Sequence, residues 1–235
     1  MHRFYSANLD APALTGAEAH HARDVFRLCS GDEIELFDGR GNVVRCRIEA
    51  LTKRDLRLAA LEHRRAAPLP CRITLAAALI KKNFDVIVQK ATELGVAAIV
   101  PLVTERAIVR ADKTSRWTDV ALEACKQCGN NWLPEISAPQ PLDKFLRAAA
   151  GFDAKLVAAL HPGALPARRA FARDARNVCV LIGPEGDFTP SEYATIAAAG
   201  FRPVTLGPLV LRADTAALYA LSVVHHELVT HADIC

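Results

Sequence analysis

The sequence has no uncharged apolar stretch long enough to cross a membrane, which removes one broad class of protein. A membrane span needs about 18 consecutive apolar residues, and every uncharged apolar run in the 235 residues is shorter than that. The opening stretch, MHRFYSANLDAP, also lacks the apolar core of a secretion signal. We therefore expect a cytoplasmic protein without a membrane partner.

Several short motifs that mark well-known active sites are missing as well. The chain has neither a G-x-x-x-x-G-K-[ST] phosphate loop nor a G-x-G-x-x-G dinucleotide motif. It has no G-x-S-x-G nucleophile turn and no H-E-x-x-H pair. His225 and His226 are adjacent, so they point to different faces of a helix, and we expect no metal site there.

Cysteine is present, but it does not indicate a disulfide framework. The seven cysteines are an odd number spread along the chain: Cys29, Cys46, Cys71, Cys125, Cys128, Cys179 and Cys235. We expect reduced thiols that serve as small hydrophobes. The spacing of Cys125 and Cys128 suits redox or metal chemistry, but no second Cys/His pair follows at a finger-like distance. We favour two helix positions three residues apart.

The charge balance is mildly basic, with a net charge of +3 and a pI of about 8.5. Such a balance permits nucleic-acid binding without requiring it. Basic residues outnumber acidic ones between Lys81 and Arg116, so this segment is the best candidate for a basic patch. A solvated helix face followed by a loop explains the same pattern equally well.

Alternating apolar residues predict a small β-rich domain over residues 1–68. Two such runs, 33–38 and 43–51, flank a glycine-containing turn, which is the pattern of a β-hairpin. A third run extends the sheet. Before the hairpin, TGAEAHHARDVFRL is typical of a helix, with Thr15 placed to cap it and Glu18 at the capping-box position.

A linker at residues 62–70 separates this domain from a second one over residues 71–235. Its sequence, EHRRAAPLP, interrupts both the strand period and the helix period. From Cys71 onward, short apolar strands alternate with helices, which is the signature of a parallel sheet covered on both faces. In such α/β domains ligands bind beyond the carboxyl ends of the strands.

Three predicted strands of this domain end in proline and glycine. LVAALHP ends at His161-Pro162, VLIGPEG ends at Gly183–Gly186, and VTLGP ends at Gly207-Pro208 ahead of a helix that starts near Asp214. One such exit is an ordinary turn, but three in succession favour a rigid pocket lined by main-chain N–H and C=O groups. A pocket of this kind suits a flat ligand bound by its edges, such as adenine.

In this order the segments resemble the bacterial uridine-N3 methyltransferases that act on small-subunit ribosomal RNA, within the knotted SPOUT superfamily. The resemblance covers nearly the whole chain, through HRFYS, HHARDVFRL, LFDGRGN, KKNFDVIVQKATELGVAAIVPLVTERA, EACKQCGNNWLPEI and LHP. Its most specific parts are LIGPEGDFTPSE and LGPLVLRADTAALYAL. The implied fold is α/β, with a C-terminal SPOUT-type parallel sheet that ends in a deep trefoil knot and a small N-terminal PUA-like β-barrel for RNA.

The resemblance implies a homodimeric, S-adenosylmethionine-dependent enzyme that methylates N3 of a uridine in small-subunit (16S) ribosomal RNA. Its partner would be that RNA or the small ribosomal subunit. The implied cofactor contacts are Leu160, His161, Pro162, Ile182, Gly183, Pro184, Glu185, Gly186, Leu206, Gly207, Leu211, Arg212, Thr215 and Ala216. The chain departs from the family pattern where Asp187 replaces glycine, Leu209 replaces arginine, Ala213-Asp214 replaces Thr-Glu, and Asn130 replaces arginine.

Methyl transfer from a sulfonium leaves a neutral thioether, so positioning and charge carry the reaction without a covalent nucleophile. Because N3 of uridine bears a proton, the site needs a base or a cation that stabilises the oxyanion. Arg212 is the candidate cation, and Glu185 and Asp214 are the candidate proton acceptors. A structural pairing of Arg212 with one of these carboxylates, and a helix-capping role for Asp214, remain open.

The candidates for RNA contact are Lys81, Lys90, Arg106, Gln127 and Asn131. Lys90 and Arg106 suit surface pairs with neighbouring glutamates equally well. Gln127 and Asn131 follow a helix end, where an extruded base meets amides and an aromatic plane. Trp132 itself is more simply explained by packing.

Three hypotheses follow. The first is an RNA uridine-N3 methyltransferase, which the order of the motifs favours. The second is a knotted methyltransferase for another RNA position or base, which Leu209 in place of arginine leaves open. The third is a non-catalytic RNA-binding protein of the same fold, and binding of S-adenosylmethionine separates it from the other two.

Overall fold

A computed structural model of the chain describes residues 1–52, 55–107, 111–160 and 163–230. It divides into two units, one formed by Met1–Pro68 with Leu122–Leu133 and the other by Leu69–Ala121 with the chain from Pro134 onward. Residues 122–133 belong to the second domain in the sequence-based prediction, whereas the structure groups them with the first. The reason is packing, since buried Cys125 and its neighbours join the cluster around Phe37.

The first unit is built on a five-stranded sheet. Its strands are His2–Tyr5 (β1), Ala13–Thr15 (β2), Glu33–Phe37 (β3), Asn42–Leu51 (β4) and Asp55–Arg65 (β5), in the order β1-β3-β4-β5-β2. The β1–β3 pair is parallel and the other pairs are antiparallel. The predicted hairpin is confirmed by β3 and β4. The predicted linker starts too early, because β5 continues through Arg65 in register with β4.

The predicted helix of this unit is shorter and differently capped. It comprises α1 (Gly16–His20) and a π-helical turn (His21–Val25). Thr15 occupies the N-cap position of α1 with the extended backbone usual there, and it is also the last residue of β2, paired with Asp55, but its side chain makes no cap hydrogen bond. Glu18 does not complete a capping box either, since its carboxylate accepts from Lys126 Nζ at 2.7 Å. The predicted N-cap position is therefore confirmed, but the predicted capping box is wrong.

The second unit is a mainly parallel α/β structure, as the sequence predicts. Its strands are Arg72–Ala78 (β6), Ala98–Val103 (β7), Glu135–Ile136 (β8), Gln140–Pro141 (β9), Ala154–Ala158 (β10), Leu165–Pro166 (β11), Asn177–Ile182 (β12) and Arg202–Thr205 (β13). The order is β11-β13-β10-β12-β6-β7-β8, with β9 paired to β7, and all of the pairings are parallel.

The helices of the second unit follow these strands along the chain. They are Phe84–Glu93 (α2), Thr114–Cys128 (α3), Leu142–Ala148 (α4), Pro190–Ala198 (α5) and Ala213–His225 (α6), and α3 runs into the first unit at Leu122. Two 3₁₀ turns, Ala149–Gly151 and Ala167–Arg169, and a π-helical turn, His226–Thr230, complete the helical segments. In the described ranges, no helix is both long and apolar enough to span a bilayer.

The central strands explain why the sheet is parallel and where its functional edge lies. Residues 178–182 of β12 are all buried, as expected for a strand covered on both faces. The strands β6, β10, β12 and β13 run in one direction, so their carboxyl ends lie at the same edge of the sheet. The segments that follow these four strands therefore come together beyond that edge.

Candidate active site

A cavity of about 280 Å³ lies beyond the carboxyl ends of β10, β12 and β13. All three predicted strand exits contribute to its walls. The lining residues are Ala158, Ala159, Leu160, Ile182, Gly183, Pro184, Glu185, Asp187, Leu206, Gly207, Leu209, Val210, Leu211, Arg212, Ala213 and Ala216. The predicted pocket is therefore present, and its walls are mostly apolar side chains and main chain.

Ten of the fourteen residues implied as cofactor contacts lie in this lining. They are Leu160, Ile182, Gly183, Pro184, Glu185, Leu206, Gly207, Leu211, Arg212 and Ala216. Gly186 and Thr215 are next to lining residues but do not line the cavity themselves. His161 and Pro162 lie outside the described residues.

The exit of β12 is a tight loop packed against the start of α5. A Cβ added to Gly183 would lie 3.1 Å from the Phe188 ring, so the close approach of main chain to ring favours glycine at this position. The N-terminus of α5 is fixed by a capping box between Thr189 and Glu192. Together these contacts give the loop a rigid base.

Asp187 closes the same loop in a left-handed conformation, with φ at +61°. Glycine adopts this conformation at no steric cost, which gives a physical reason for the glycine that the resemblance leads one to expect here. Asp187 compensates through its carboxylate, because Oδ1 accepts from the Tyr193 hydroxyl and from the Phe188 N–H, both at 2.8 Å. Burial, reinforced by this hydrogen bond, raises the pKa of Tyr193 well above its usual value.

Arg106 holds the loop from the other side. Its Nη1 donates to the carbonyl oxygen of Gly186 at 2.7 Å, and its side-chain carbons lie against the same glycine. The surface pair with Glu105 that the sequence allowed is replaced by this contact to main chain. Arg106 thus contacts the loop that forms one wall of the cavity, and this contact does not depend on RNA binding.

The exit of β13 carries the candidate cation. Gly207 has φ at +124°, which is accessible to glycine and strained for other residues. The loop then exposes Leu209 and Val210, and Arg212 follows as the residue before α6. The Arg212 side chain is 71% exposed, so its guanidinium is available to a ligand.

Asp214 lies in the first turn of α6, near the edge of the cavity. Its Oδ2 accepts from Asn83 Nδ2 at 2.8 Å, and its Oδ1 accepts from the Thr215 N–H at 2.9 Å. Arg212 Nε is 3.7 Å from Oδ1. The Asn83 hydrogen bond is the main cause that holds the pKa of Asp214 below its usual range, with contributions from Thr215 and Arg212.

The helix-capping alternative for Asp214 receives little support from these contacts. The N-cap position of α6 is Arg212, whose side chain makes no cap hydrogen bond, and within α6 Asp214 accepts from the Thr215 N–H next to it. The alternative pairing of Arg212 with Asp214 is present but long and solvent-exposed, and such pairs contribute about 0–1 kcal/mol.

Glu185 is the second candidate carboxylate, and it lines the cavity directly. Its Oε1 accepts a long hydrogen bond, 3.4 Å, from the Lys81 N–H in the segment after β6. That segment therefore approaches both candidate carboxylates, Glu185 through Lys81 and Asp214 through Asn83.

The remaining residues predicted for RNA contact lie in two different places. In the second unit, Lys90 forms the surface pair with Glu93, at 2.8 and 3.0 Å, that the sequence also allows. In the first unit, Gln127 is exposed near the end of α3, and the Asn131 side chain accepts from Arg3. Trp132 packs against Gly41 and lies under the Arg65 guanidinium, 5.5 Å from its ring centroid.

The two cysteines with redox-like spacing both lie on α3, as favoured from the sequence. Cys128 is exposed, while burial raises the pKa of the Cys125 thiol to about 12. In the part of the chain that the structure describes, no cluster of three or more His, Cys, Asp or Glu side chains is placed to hold a metal ion.

Two residues that shape the site, Asn83 and Tyr193, were not predicted from the sequence, and Asp187 was noted there only as a departure from the family pattern. Asn83 and Asp187 have positive φ values. Asparagine and aspartate tolerate this conformation better than most residues, but their presence in a sequence does not predict it. Tyr193 lies in the helix after GPEGD, one helical turn beyond Thr189. This spacing places its side chain on the face of the helix nearest the loop, which could have indicated its contact with Asp187.

Comparison with known proteins agrees with this geometry. A model of the RNA methyltransferase domain family matches residues 67–225. A model of the RNA methyltransferase PUA domain matches residues 14–60. The parallel sheet and its cavity are thus those of an RNA methyltransferase domain, and the N-terminal sheet contains a PUA domain.

Individual relatives define the family more narrowly. The ribosomal RNA small subunit methyltransferase E of Synechocystis is 34% identical over 216 residues, covering 89% of this chain and 71% of the relative. The Bacillus subtilis protein of the same name is 29% identical and covers 92% and 90%. A crystal structure of the Neisseria gonorrhoeae protein of that name, bound to S-adenosyl methionine, superposes with a TM-score of 0.89 at 30% identity, covering 97% and 98% of the two chains. The chain belongs to the ribosomal RNA small subunit methyltransferase E family.

Proposed function

We propose that this protein transfers the methyl group of S-adenosylmethionine to N3 of a uridine in small-subunit (16S) ribosomal RNA. The observation that carries the proposal is the cavity beyond the parallel sheet, where apolar and main-chain walls meet Glu185, Asp187 and Arg212. The names of the relatives support the RNA substrate, and the gonococcal structure supports the cofactor. The choice of uridine N3 rests on the motif resemblance.

The cavity has the chemistry that this cofactor requires. Ile182, Leu206 and Leu211 provide apolar surface for a flat base, and the neighbouring main chain provides N–H and C=O groups for its edges. The close packing of Gly183 on Phe188 leaves the loop without a side chain at that point of the wall. When bound, S-adenosylmethionine supplies an electrophilic methyl group on a positively charged sulfur.

The protein residues then have to prepare the uridine. Its N3 bears a proton and becomes nucleophilic only when that proton leaves. We propose that the exposed Arg212 guanidinium binds a uracil carbonyl and stabilises the negative charge that develops on the base. A cation at this position lowers the barrier without forming a bond to the substrate.

We assign the proton acceptor to Glu185 and a supporting role to Asp214. Glu185 lines the cavity, and its Oε1 accepts a long hydrogen bond, 3.4 Å, from the Lys81 N–H. Asp214 does not line the cavity, and both of its oxygens already accept hydrogen bonds. The Asn83 hydrogen bond, which lowers the pKa of Asp214, also makes this carboxylate a weaker base than an ordinary aspartate. Glu185 is therefore better suited to take a proton.

RNA binding is divided between the two domains in this proposal. The N-terminal domain, residues 1–68, would bind RNA as its PUA match suggests. In the methyltransferase domain, residues 71–235, exposed Lys81 and Arg106 lie next to the cavity loop and are the best placed of the predicted RNA contacts. Roles in RNA binding for Lys90, Gln127 and Asn131 remain predictions. A deep trefoil knot formed by the exits of β12 and β13 is part of the same proposal.

We further propose that the active form is a homodimer, as the resemblance implies. Leu160, Leu209 and Val210, at the cavity rim, are 60%, 73% and 80% exposed, and Tyr219 on α6 is 51% exposed. Exposed apolar residues grouped beside a site often mark a protein interface. Sedimentation equilibrium of the protein and of a Leu209→Asp, Val210→Asp variant tests this assignment, and a wild-type monomer at micromolar concentration would contradict it.

The reaction is tested with purified protein, labelled S-adenosylmethionine and small ribosomal subunits from a strain that lacks this gene. Nucleoside mass spectrometry of the recovered RNA identifies the product. We expect N3-methyluridine, formed in the cytoplasm where ribosomes assemble. Label in another nucleoside would support a methyltransferase of the same fold with another target. Absence of both methyl transfer and cofactor binding would support a non-catalytic RNA-binding protein.

A further inference from the structure

We propose that Asn83 is a positioning residue of the methyl-transfer site, which holds Asp214 so that its second oxygen faces Arg212. This inference rests on the function proposed above and concerns a residue outside the sequence-based site. Asn83 Nδ2 donates to Asp214 Oδ2 at 2.8 Å, and Arg212 Nε lies 3.7 Å from Asp214 Oδ1. One carboxylate thus connects the segment after β6 to the candidate cation.

The conformation of Asn83 is unusual for its place in the fold. It occupies the N-cap position of α2, where an asparagine is normally extended and accepts a hydrogen bond from the first turn of the helix. Here φ is +69° and the side chain makes no cap hydrogen bond. The amide is instead directed at Asp214, in the first turn of another helix. Asn83 therefore does not cap α2 with its side chain and instead connects the start of α2 to the first turn of α6.

Left-handed backbone outside glycine is concentrated at this site. Among the described residues three non-glycine residues have positive φ: Arg27, Asn83 and Asp187. Asp187 lines the cavity and Asn83 contacts Asp214. Such conformations cost about 1–3 kcal/mol and persist where surrounding contacts hold them, often at functional sites. The carboxylate contacts of Asn83 and Asp187 are the contacts that hold them here.

Arg212 is the charged side chain that Asn83 influences through Asp214. α2 packs against α6, but the acidic residue in its first turn, Asp85, is paired with Arg116 at 2.5 Å. The 3₁₀ turn that also packs against α6 carries Arg168 and Arg169, both of which are exposed. Because Asn83 has already satisfied Oδ2, the Oδ1 atom is the one turned toward Arg212.

The test removes the amide without disturbing the backbone. Glycine adopts a φ of +69° freely, and no helix cap is lost, so Asn83→Gly should fold normally. We expect kcat to fall about tenfold, the scale of one lost hydrogen bond to a charged group, with the Kd for S-adenosylmethionine within about twofold of wild type. In the cofactor-free protein, carboxyl NMR should show a raised pKa for Asp214. Asn83→Asp, which opposes two carboxylates, should lower kcat further.

Double variants distinguish positioning from a general structural role. If Asn83 acts through Asp214 and Arg212, Asn83→Gly should cause no further loss of kcat in an Asp214→Asn or an Arg212→Ala background. A full tenfold loss in both backgrounds, or an unchanged kcat in the single variant, would overturn the inference. An unshifted Asp214 pKa would overturn it as well. Wild-type protein that forms no N3-methyluridine would instead overturn the proposed function, and is seen before any variant is made.

Discussion

Arg106 donates a hydrogen bond from Nη1 to the carbonyl oxygen of Gly186 at 2.7 Å, and its side-chain carbons cover the same glycine. The contact joins the loop after β7 to the loop after β12, which forms one wall of the cavity. From the sequence, Arg106 is a candidate for RNA contact or for a pair with Glu105. The structure adds a third role, in which the guanidinium holds the cofactor loop.

The Arg106→Ala variant tests that role in the absence of RNA. Loss of the hydrogen bond should loosen the loop and raise the Kd for S-adenosylmethionine about three- to tenfold, as measured by isothermal titration calorimetry. Arg147→Ala is the matched control, because Arg147 is an exposed arginine paired with Asp143 on α4. An unchanged Kd in Arg106→Ala would mean that the arginine acts on RNA alone.

The two glycines of GPEGD should respond differently to alanine. A Cβ at Gly183 meets the Phe188 ring at 3.1 Å, so the ring or the loop has to move, whereas a Cβ at Gly186 meets Arg106 at an ordinary 3.5 Å. Overpacking of this kind costs about 1–3 kcal/mol. We expect Gly183→Ala to weaken cofactor binding at least about tenfold and to lower Tm, and Gly186→Ala to change both little. Equal effects at the two positions would show that the steric contact with Phe188 is not the reason for glycine at position 183.

Arg212→Ala should strongly slow methyl transfer while leaving the fold close to wild type. The side chain is 71% exposed and its ion pair with Asp214 is long, so its removal should change Tm by little. Removing one group that stabilises developing charge typically lowers kcat by about 10²–10³. Arg212→Lys keeps the charge but loses the planar fork, and should recover part of the rate. Unchanged turnover in Arg212→Ala would remove Arg212 from the mechanism.

The N-terminal unit should lose stability in acid partly through Glu35. Burial by itself would raise the pKa of Glu35, but hydrogen bonds from Arg64 at 2.7 Å and Arg3 at 2.8 Å outweigh it and hold the pKa below its usual range. A carboxyl with a depressed folded-state pKa stabilises the protein above its unfolded-state pKa of about 4.3. That contribution is lost as pH falls through the folded-state value.

Urea unfolding between pH 3 and pH 7 measures the effect by comparing wild type with Glu35→Gln. We expect the free energy of unfolding to differ by about 2 kcal/mol near pH 7 and the difference to disappear at the acid end. Glu62→Gln provides the control, because Glu62 pairs with Arg45 at an exposed position on the same sheet. A difference that is constant over this pH range would show that Glu35 acts through packing rather than charge.

Local patterns predicted much of the architecture because they depend on nearby residues. The hairpin of β3 and β4 follows from alternating apolar residues around a glycine turn, and the parallel sheet follows from apolar strands alternating with helices. The pocket was also predictable, since parallel strands place their exits at one edge. Helix caps were less predictable: Thr15 lies at the N-cap position of α1, but its side chain makes no cap hydrogen bond.

The sequence by itself determined the α/β sheet and the three glycine and proline exits, because each depends on periodicity or on the conformations open to one residue type. The expected cavity contacts came from the motif resemblance. Only the tertiary structure decided which partner each polar side chain contacts. Asn83 meets Asp214 from 131 residues away, Arg106 meets Gly186 across 80 residues, and residues 122–133 join the N-terminal unit. Such contacts depend on how distant segments pack, and short-range patterns do not encode that arrangement.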